Sequence, residues 1–194
     1  MKSLDDKALA LALQTGDEAA FDEIVTRFQG RVYAVAYRVI GNREDALDIA
    51  QEVFIKVYRK IDTWKPTGGF LPWVLRMTTN HSIDHLRRKR RYPEQSLEEA
   101  FVPTSEGAAV EPASMRTSTD VHAREIEARI RMALPVLSRS QREVFLLRHY
   151  EGLQLAEIAE SMGCTVGSVK VHLFRALKKL QVELKDLYEV GKER

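Results

Sequence analysis

Apolar residues recur at three- and four-residue spacing along almost the whole chain, and no stretch alternates with period two long enough for a strand. The pattern predicts an all-α protein. A short first helix, capped by Ser3 or Asp5, ends near Gly16. The second starts at about Asp17, buries a stripe of Phe21, Ile24, Val25, Phe28, Val32, Val35 and Val39, and stops at Gly41. The third, Arg43 to Ile61, turns Ala46, Ala50, Val53, Phe54, Val57 and Ile61 to one side. The fourth begins near Pro72, a residue suited to a first helical turn, and runs through RMTTNHSIDHLRRKRR to Arg91. Beyond it, Asp120 is placed to cap a helix through Leu134, and Ser138 another through Tyr150. Two more helices follow, with breaks at Gly152 and Gly163.

Between the two helical runs the pattern lapses. YPEQSLEEAFVPTSEGAAVEPASMRTST, from Tyr92 to about Thr119, has three prolines, many small polar residues and a net negative charge, which is linker composition. The expected architecture is therefore two small helical domains, residues 1–91 and 120–194, joined by a flexible acidic linker over 92–119. A chain of 194 residues, 44% hydrophobic and 30% charged, suits two modest cores. The formal net charge of +2 names no partner, so the placement of charge matters more than its sum. One cysteine, Cys164, cannot close an intramolecular disulfide, which fits a reducing compartment. The opening MKSLDDKALALAL has neither a long apolar core nor a small-residue cleavage site, and no run approaches a membrane span. A cytoplasmic protein without membrane insertion is expected.

In LQLAEIAESMGCTVGSVKVHLFRALKKL, the order Ala159, Gly163, Val169 has helix-turn-helix spacing: a small residue where two helices touch, a glycine for the turn, and a branched anchor. At 100° per residue the second of these helices, capped by Thr165, turns Val166, Val169, Leu173, Leu177 and Leu180 inward. Ser168, Val171, His172, Arg175, Lys178 and Lys179 then lie outside, flanked by Lys170 and Phe174. Such a face fits a major groove, where cationic and small polar side chains read base edges and the last cations meet phosphate.

The fourth helix ends in five consecutive cations, Arg87 through Arg91. Its wheel gathers Trp73, Arg76, Met77, Asn80, Asp84, Arg87 and Arg91 within about a third of the circumference, opposite Leu75, Thr78, Thr79, Ser82 and Leu86. An aromatic ring, an amide and several arginines make a set for holding single-stranded nucleic acid, with stacking worth about 1–3 kcal/mol per base. The plainer reading makes Trp64, Phe70 and Trp73 core aromatics; it is preferred for Phe70, and Trp73 admits both. His81 and His85, at i and i+4 around Asp84, lack a third ligand of suitable spacing, so no metal, cofactor or catalytic group is expected.

Taken together, EDALDIAQEVFIKVYRKIDTW (44–64), FLPWVLRMTTNHSIDHLRRKRR (70–91) and LPVLSRSQREVFLLRHYEGLQLAEIAESMGCTVGSVKVHLFRALKKL (134–180) resemble the extracytoplasmic-function (group 4) sigma factors of bacterial RNA polymerase. The resemblance implies a promoter-specificity factor, not an enzyme, with a region 2 domain for the minus 10 element and a region 4 domain for the minus 35 element. It places Asp48, Gln51 and Glu52 on the clamp coiled coil of the polymerase core; the wheel adds Asp45 and Ile55 to the same outward face. It gives Arg76 and Asn80 to minus 10 recognition, where a base is extruded into a pocket made with the loop Asp62 to Gly69. Trp73, Asp84, Arg87, Arg88 and Arg91 share that helix. For minus 35 DNA it implies Lys170, His172, Phe174 and Arg175, beside Thr165, Ser168, Val171 and Lys178. It further implies an anti-sigma factor as partner and a linker, with Glu98, Glu99, Glu106 and Glu111, that threads through the polymerase. Two departures stand out: Lys65-Pro66 and Gly68-Gly69 replace the family's usual aromatic-Arg-Gly sequence, and His172 stands where arginine is common. A stand-alone helix-turn-helix regulator is the alternative; it would bind its operator tightly without polymerase. A metal-dependent enzyme using His81 and His85 would instead carry stoichiometric metal.

Overall fold

A computed structural model describes residues 5–91 and 118–185. Among these residues every regular element is helical. The N-terminal half comprises α1 (Asp6–Gln14), α2 (Glu18–Ile40), α3 (Arg43–Lys60) and α4 (Phe70–Arg91); the C-terminal half comprises α5 (Ser118–Ala133), α6 (Arg139–His149), α7 (Leu155–Met162) and α8 (Val166–Glu183). Ser3 and the linker glutamates Glu98, Glu99, Glu106 and Glu111 lie outside the described residues.

The helix starts are written in short polar side chains. Asp5 accepts from the Ala8 N–H at 2.6 Å, Asp17 from Ala19 at 3.0 Å and Asn42 from Asp45 at 2.9 Å, each satisfying an orphan first-turn donor. Ser138 and Gln141 form a reciprocal capping box on α6. The helix expected to start at Asp120 begins earlier: α5 runs from Ser118, so Asp120 lies inside the helix and not at its N-cap position. The fourth helix likewise starts at Phe70, two residues ahead of Pro72, which therefore sits in the first turn where its missing N–H is harmless. Gly41 ends α2 at φ 79°, and a Cβ there would come within 2.7 Å of the Arg131 guanidinium of α5. The left-handed backbone favours glycine at that position, and a larger residue would also push the Arg131 side chain aside.

The N-terminal core packs Leu9, Leu13, Ile24, Phe28, Val32, Ile49, Val53, Val57, Trp64, Phe70 and Val74 into one cluster. Gln14 of α1 reaches across it, its amide donating to the carbonyls of Ile61 at 2.9 Å and Trp64 at 3.0 Å. The small-residue face expected on α4 is the buried one: Leu75, Thr78, Thr79 and Ser82 are all fully enclosed.

Two further apolar clusters cross between the halves. Val39 and Ile83 join Leu134, Phe145, Leu146, Ala176 and Leu180, while Val35 and Leu75 join Val144, Leu147, Ile158 and Val169. The two halves, separate in sequence composition, are thus packed face to face, with α4 against α6 and α7.

Candidate nucleic-acid interface

On α4, the outward arc carries the predicted readers. Trp73 is half-buried, its ring stacked on Phe70 at 5.9 Å with an interplanar angle of 28°. Trp73 thus packs on the core and also walls a cavity. Trp64 and Phe70, 3% and 2% exposed, are core aromatics. The cavity has a volume of about 340 Å³ and is lined by Trp73, Arg76, Met77, Asn80, His81 and Asp84 of α4, with Lys56, Lys60 and Thr63 opposite. Of the loop expected to shape this cavity, only Thr63 reaches it; Lys65, Pro66 and Thr67 face outward. The end of α3 supplies the second wall instead. Lys56 and Lys60 were missed by sequence reasoning, although their i, i+4 spacing on the flank of the α3 stripe marks one cationic edge.

Beneath the cavity, His81 is buried between Lys56 and Glu52. The Lys56 ammonium donates to Nδ1, so the ring proton sits on Nε2 and is donated to Glu52 Oε2 at 2.5 Å. Burial, reinforced by the charge of Lys56, holds the His81 pKa below its ordinary value, and burial likewise depresses Lys56. His85 lies 3.6 Å from Asp45, which also receives Lys89 at 3.0 Å. The two histidines are thus occupied by separate carboxylates on α3, and among the described residues no three His, Cys, Asp or Glu side chains gather as a metal site.

Along α3, Asp48, Gln51, Glu52 and Ile55 face solvent, Ile55 at 50%, joined by Leu47 at 45% and Tyr58 at 48%. Asp45 differs from the rest of the set: it is half-buried and committed to Lys89 and His85. Leu47 and Tyr58 enlarge the apolar part of this face.

The other half covers part of the α4 arc. Arg76 Nε donates to Glu143 Oε1 at 2.6 Å, and its Nη1 reaches the Ser161 carbonyl. Asn80 Nδ2 donates to the same Glu143 oxygen at 3.0 Å, and Asn80 Oδ1 accepts from Arg139 Nε at 3.1 Å. Asp84 accepts from Arg139 at 3.2 Å and lies 3.8 Å from Arg87. Arg87, Arg88 and Arg91 remain exposed at the helix C-terminus, where the dipole favours cations.

In the helix-turn-helix, α7 ends at Gly163, φ 64°, and α8 starts at Thr165, whose hydroxyl accepts from the Ser168 N–H at 3.1 Å. Val169, Ala176 and Leu180 anchor α8. Val166 and Leu177, expected inward, are 38% and 42% exposed. The inward arc of α8 is narrower than the wheel suggested, and the small Ala176, which sequence reasoning passed over, brings the backbone close to its neighbours. The outer face presents Lys170, Val171, Phe174, Arg175 and Lys178, with Phe174 67% exposed; His172 is half-buried and its Nδ1 finds no partner among the described residues. Thr165 and Ser168 spend their hydroxyls on the cap and on each other, at 3.0 Å.

Comparison with known proteins places both halves. The family model for Sigma-70 region 2 matches residues 24–92, and that for Sigma-70 region 4 matches residues 127–180. The RNA polymerase sigma-H factor of Pseudomonas aeruginosa is 31% identical over 190 residues, covering 94% of this chain and 95% of the relative. The ECF RNA polymerase sigma factor SigW of Bacillus subtilis is 32% identical over 179 residues, covering 90% and 94%. Among solved structures, CnrH in complex with the cytosolic domain of CnrY aligns with a TM-score of 0.62 and 26% identity, covering 93% of this chain and 97% of that one. With both regions matched in order and full-length relatives at this identity, the chain belongs to the extracytoplasmic-function sigma factors of the sigma-70 family.

Proposed function

We propose that this factor brings bacterial RNA polymerase core to its promoters by dividing recognition between its two halves. The domain assignment that follows is residues 1–91 for core and minus 10 binding, 92–119 as linker, and 120–194 for minus 35 binding. In the C-terminal half, α8 enters the major groove of the minus 35 element. Lys170, Arg175 and Lys178 meet base edges and phosphates, while Val171 and Phe174 offer apolar contact to thymine methyls. In the N-terminal half, one unpaired base enters the cavity between α3 and α4. There Trp73 supplies a ring face, Asn80 an amide, and Arg76, Lys56 and Lys60 positive charge. Arg87, Arg88 and Arg91 follow the strand's phosphates. The solvent-facing Asp48, Gln51, Glu52 and Ile55 dock on the polymerase clamp, with Asp45 as a brace behind them.

The factor supplies recognition, and melting follows from capture of the unpaired strand. A base costs a few kcal/mol to unstack, comparable with one stacking contact plus a charge-assisted hydrogen bond. Such a factor acts where the polymerase is, in the cytoplasm, and an anti-sigma factor is its expected regulator. The alternative of a stand-alone repressor leaves the exposed acidic and apolar face of α3 without a purpose.

The observation that carries this reading is the convergence of Trp73, Arg76 and Asn80 with Lys56 and Lys60 on one cavity of about 340 Å³. Run-off transcription with core polymerase over a promoter library tests it. Asn80→Ala should reduce open-complex formation on the selected promoters by about tenfold or more, the loss of one good polar base contact, while leaving duplex minus 35 binding intact. Equal loss of both activities contradicts the assignment.

A further inference from the structure

Below the cavity wall lies a buried titratable side chain with two partners. His81 points from α4 onto α3, where Glu52 and Lys56 stand one helical turn apart and so present their heads to the same ring. The imidazole is 8% exposed, and each of its nitrogens is taken. Glu52 Oε2 accepts from Nε2 at 2.5 Å, which fixes the tautomer and leaves Nδ1 as an acceptor for the Lys56 ammonium. Lys60, one turn further along α3, lines the same cavity as Lys56. One row on α3 thus runs from a carboxylate whose side chain is 55% exposed to two cations in the cavity, with the ring clasped between the first two.

The nature of the clasp matters. An ammonium has three N–H donors and no acceptor; one donor goes to His81, and two remain for the cavity. The partner is a ring nitrogen rather than a carboxylate. A carboxylate would offset the charge and compete with a phosphate or a base for the donors. An uncharged ring nitrogen fixes the ammonium in place and leaves its charge to act on the strand. Holding a four-carbon side chain in one rotamer before the strand arrives also removes an ordering cost from the binding step.

We infer that His81 is a positioning residue for strand capture: with its tautomer set by Glu52, its Nδ1 holds the Lys56 ammonium against the cavity, where the remaining N–H groups meet the unpaired strand. The inference rests on the reading of this cavity as the strand site. The role belongs to the neutral ring. A protonated ring has no acceptor at Nδ1 and repels the ammonium, so Lys56 leaves the wall when His81 takes up a proton. Burial, and after it the charge of Lys56, holds the His81 pKa below its ordinary value, which keeps the ring neutral at neutral pH. The charges that bear on the pair are Glu52 and Lys60 on α3 and Asp84 and Arg88 on α4. On α6, Glu143 and Arg139 are taken up by Arg76, Asn80 and Asp84.

The test uses holoenzyme, assembled from core polymerase with saturating full-length factor, and a fluorescent forked promoter DNA whose non-template strand is unpaired across the minus 10 segment, read by anisotropy. His81→Leu keeps an apolar side chain in the packing and removes both ring nitrogens; Lys56→Gln removes the ammonium. At neutral pH each should weaken binding by about tenfold, the worth of one charge-assisted hydrogen bond, and the double variant by no more than either alone. His81→Gln offers one acceptor and one donor in place of the two nitrogens and should recover most of the loss. Below about pH 6.5 the affinity of the parent should fall relative to that of His81→Gln, whose side chain does not titrate. In a Lys56→Gln background that ratio should become flat. Additive losses in the double variant would show that His81 acts through packing alone and would overturn the inference. A ratio of parent to His81→Gln that stays constant at every pH where the chain is folded overturns it as well. Should His81→Leu fail to fold, the ratio with and without Lys56→Gln decides the matter. If Asn80→Ala weakens forked-DNA binding while His81→Leu does not, the positioning role alone is wrong; if Asn80→Ala and Lys56→Gln both bind like the parent, the reading of the cavity itself falls.

Discussion

The two helices proposed to read DNA are in opposite conditions. On α8 the outer face stands open among the described residues, with Phe174 67% and Val171 46% exposed. On α4 the corresponding arc is paired with the other half, Arg76 and Asn80 to Glu143, and Asn80 and Asp84 to Arg139. The difference follows the chemistry each must perform. A duplex major groove is present on any DNA and a helix can read it at little cost, whereas an unpaired strand exists only after melting. A reader of unpaired DNA left open would be taken by any exposed strand, so coverage is more useful there than on α8.

The most disruptive way to break the comparison is to attack a residue both sides share. Val169 is wholly buried in the cluster that also encloses Leu75 and Val35. Val169→Asp should cost about 3–5 kcal/mol in chemical denaturation, because an unpaired carboxylate replaces packed methyls, and should disorder both readers together. Retained duplex binding in that variant would show that the halves do not depend on one another.

A smaller change sharpens the contrast. Lys170→Ala with Arg175→Ala should weaken minus 35 duplex binding by about 1–3 kcal/mol for each base edge left unread. The salt slope should fall by about one for each phosphate left without its cation. Single-strand binding should not move, since neither side chain touches the closed interface. The salt dependence measured on both substrates separates these outcomes.

The slightest effect is on pH. His81 is held below its ordinary pKa by burial, with Lys56 adding to the shift, and burial also depresses His149. A base with a depressed folded-state pKa binds fewer protons folded than unfolded, so its contribution to stability is complete above the unfolded value of about 6.5 and is lost as pH falls through the folded pKa. Denaturation midpoints should therefore decline as pH falls below about 6.5, and His81→Gln should flatten part of that decline. An unchanged slope in His81→Gln would remove His81 from the account.

Much of the fold was legible because it is encoded locally. Asp5, Asp17, Ser138 and Thr165 each cap the helix their position suggested, and the enclosed face of α4 with Thr78, Thr79 and Ser82 follows directly from its wheel. The errors arose where a local rule met a tertiary choice. Leu177 is apolar and correctly spaced, yet it stays largely open to solvent, whereas Ala176 beside it is fully buried. The role of Lys56 and Lys60 as a wall is visible only in the cavity they share with α4. Glu143 meets Arg76 across 67 positions in sequence, and no periodicity within α4 or α6 relates them.

One small contact extends further than its size suggests. The two bonds from the Gln14 amide tie α1 to the turn that carries Thr63 and Trp64, and Thr63 lines the cavity between α3 and α4. The family model for region 2 begins its match at residue 24, so this tether lies ahead of the stretch which that model describes. A fragment trimmed to residue 24 would retain every proposed strand contact and yet lose the strut behind them, along with Leu9, Ala10 and Leu13 from the core.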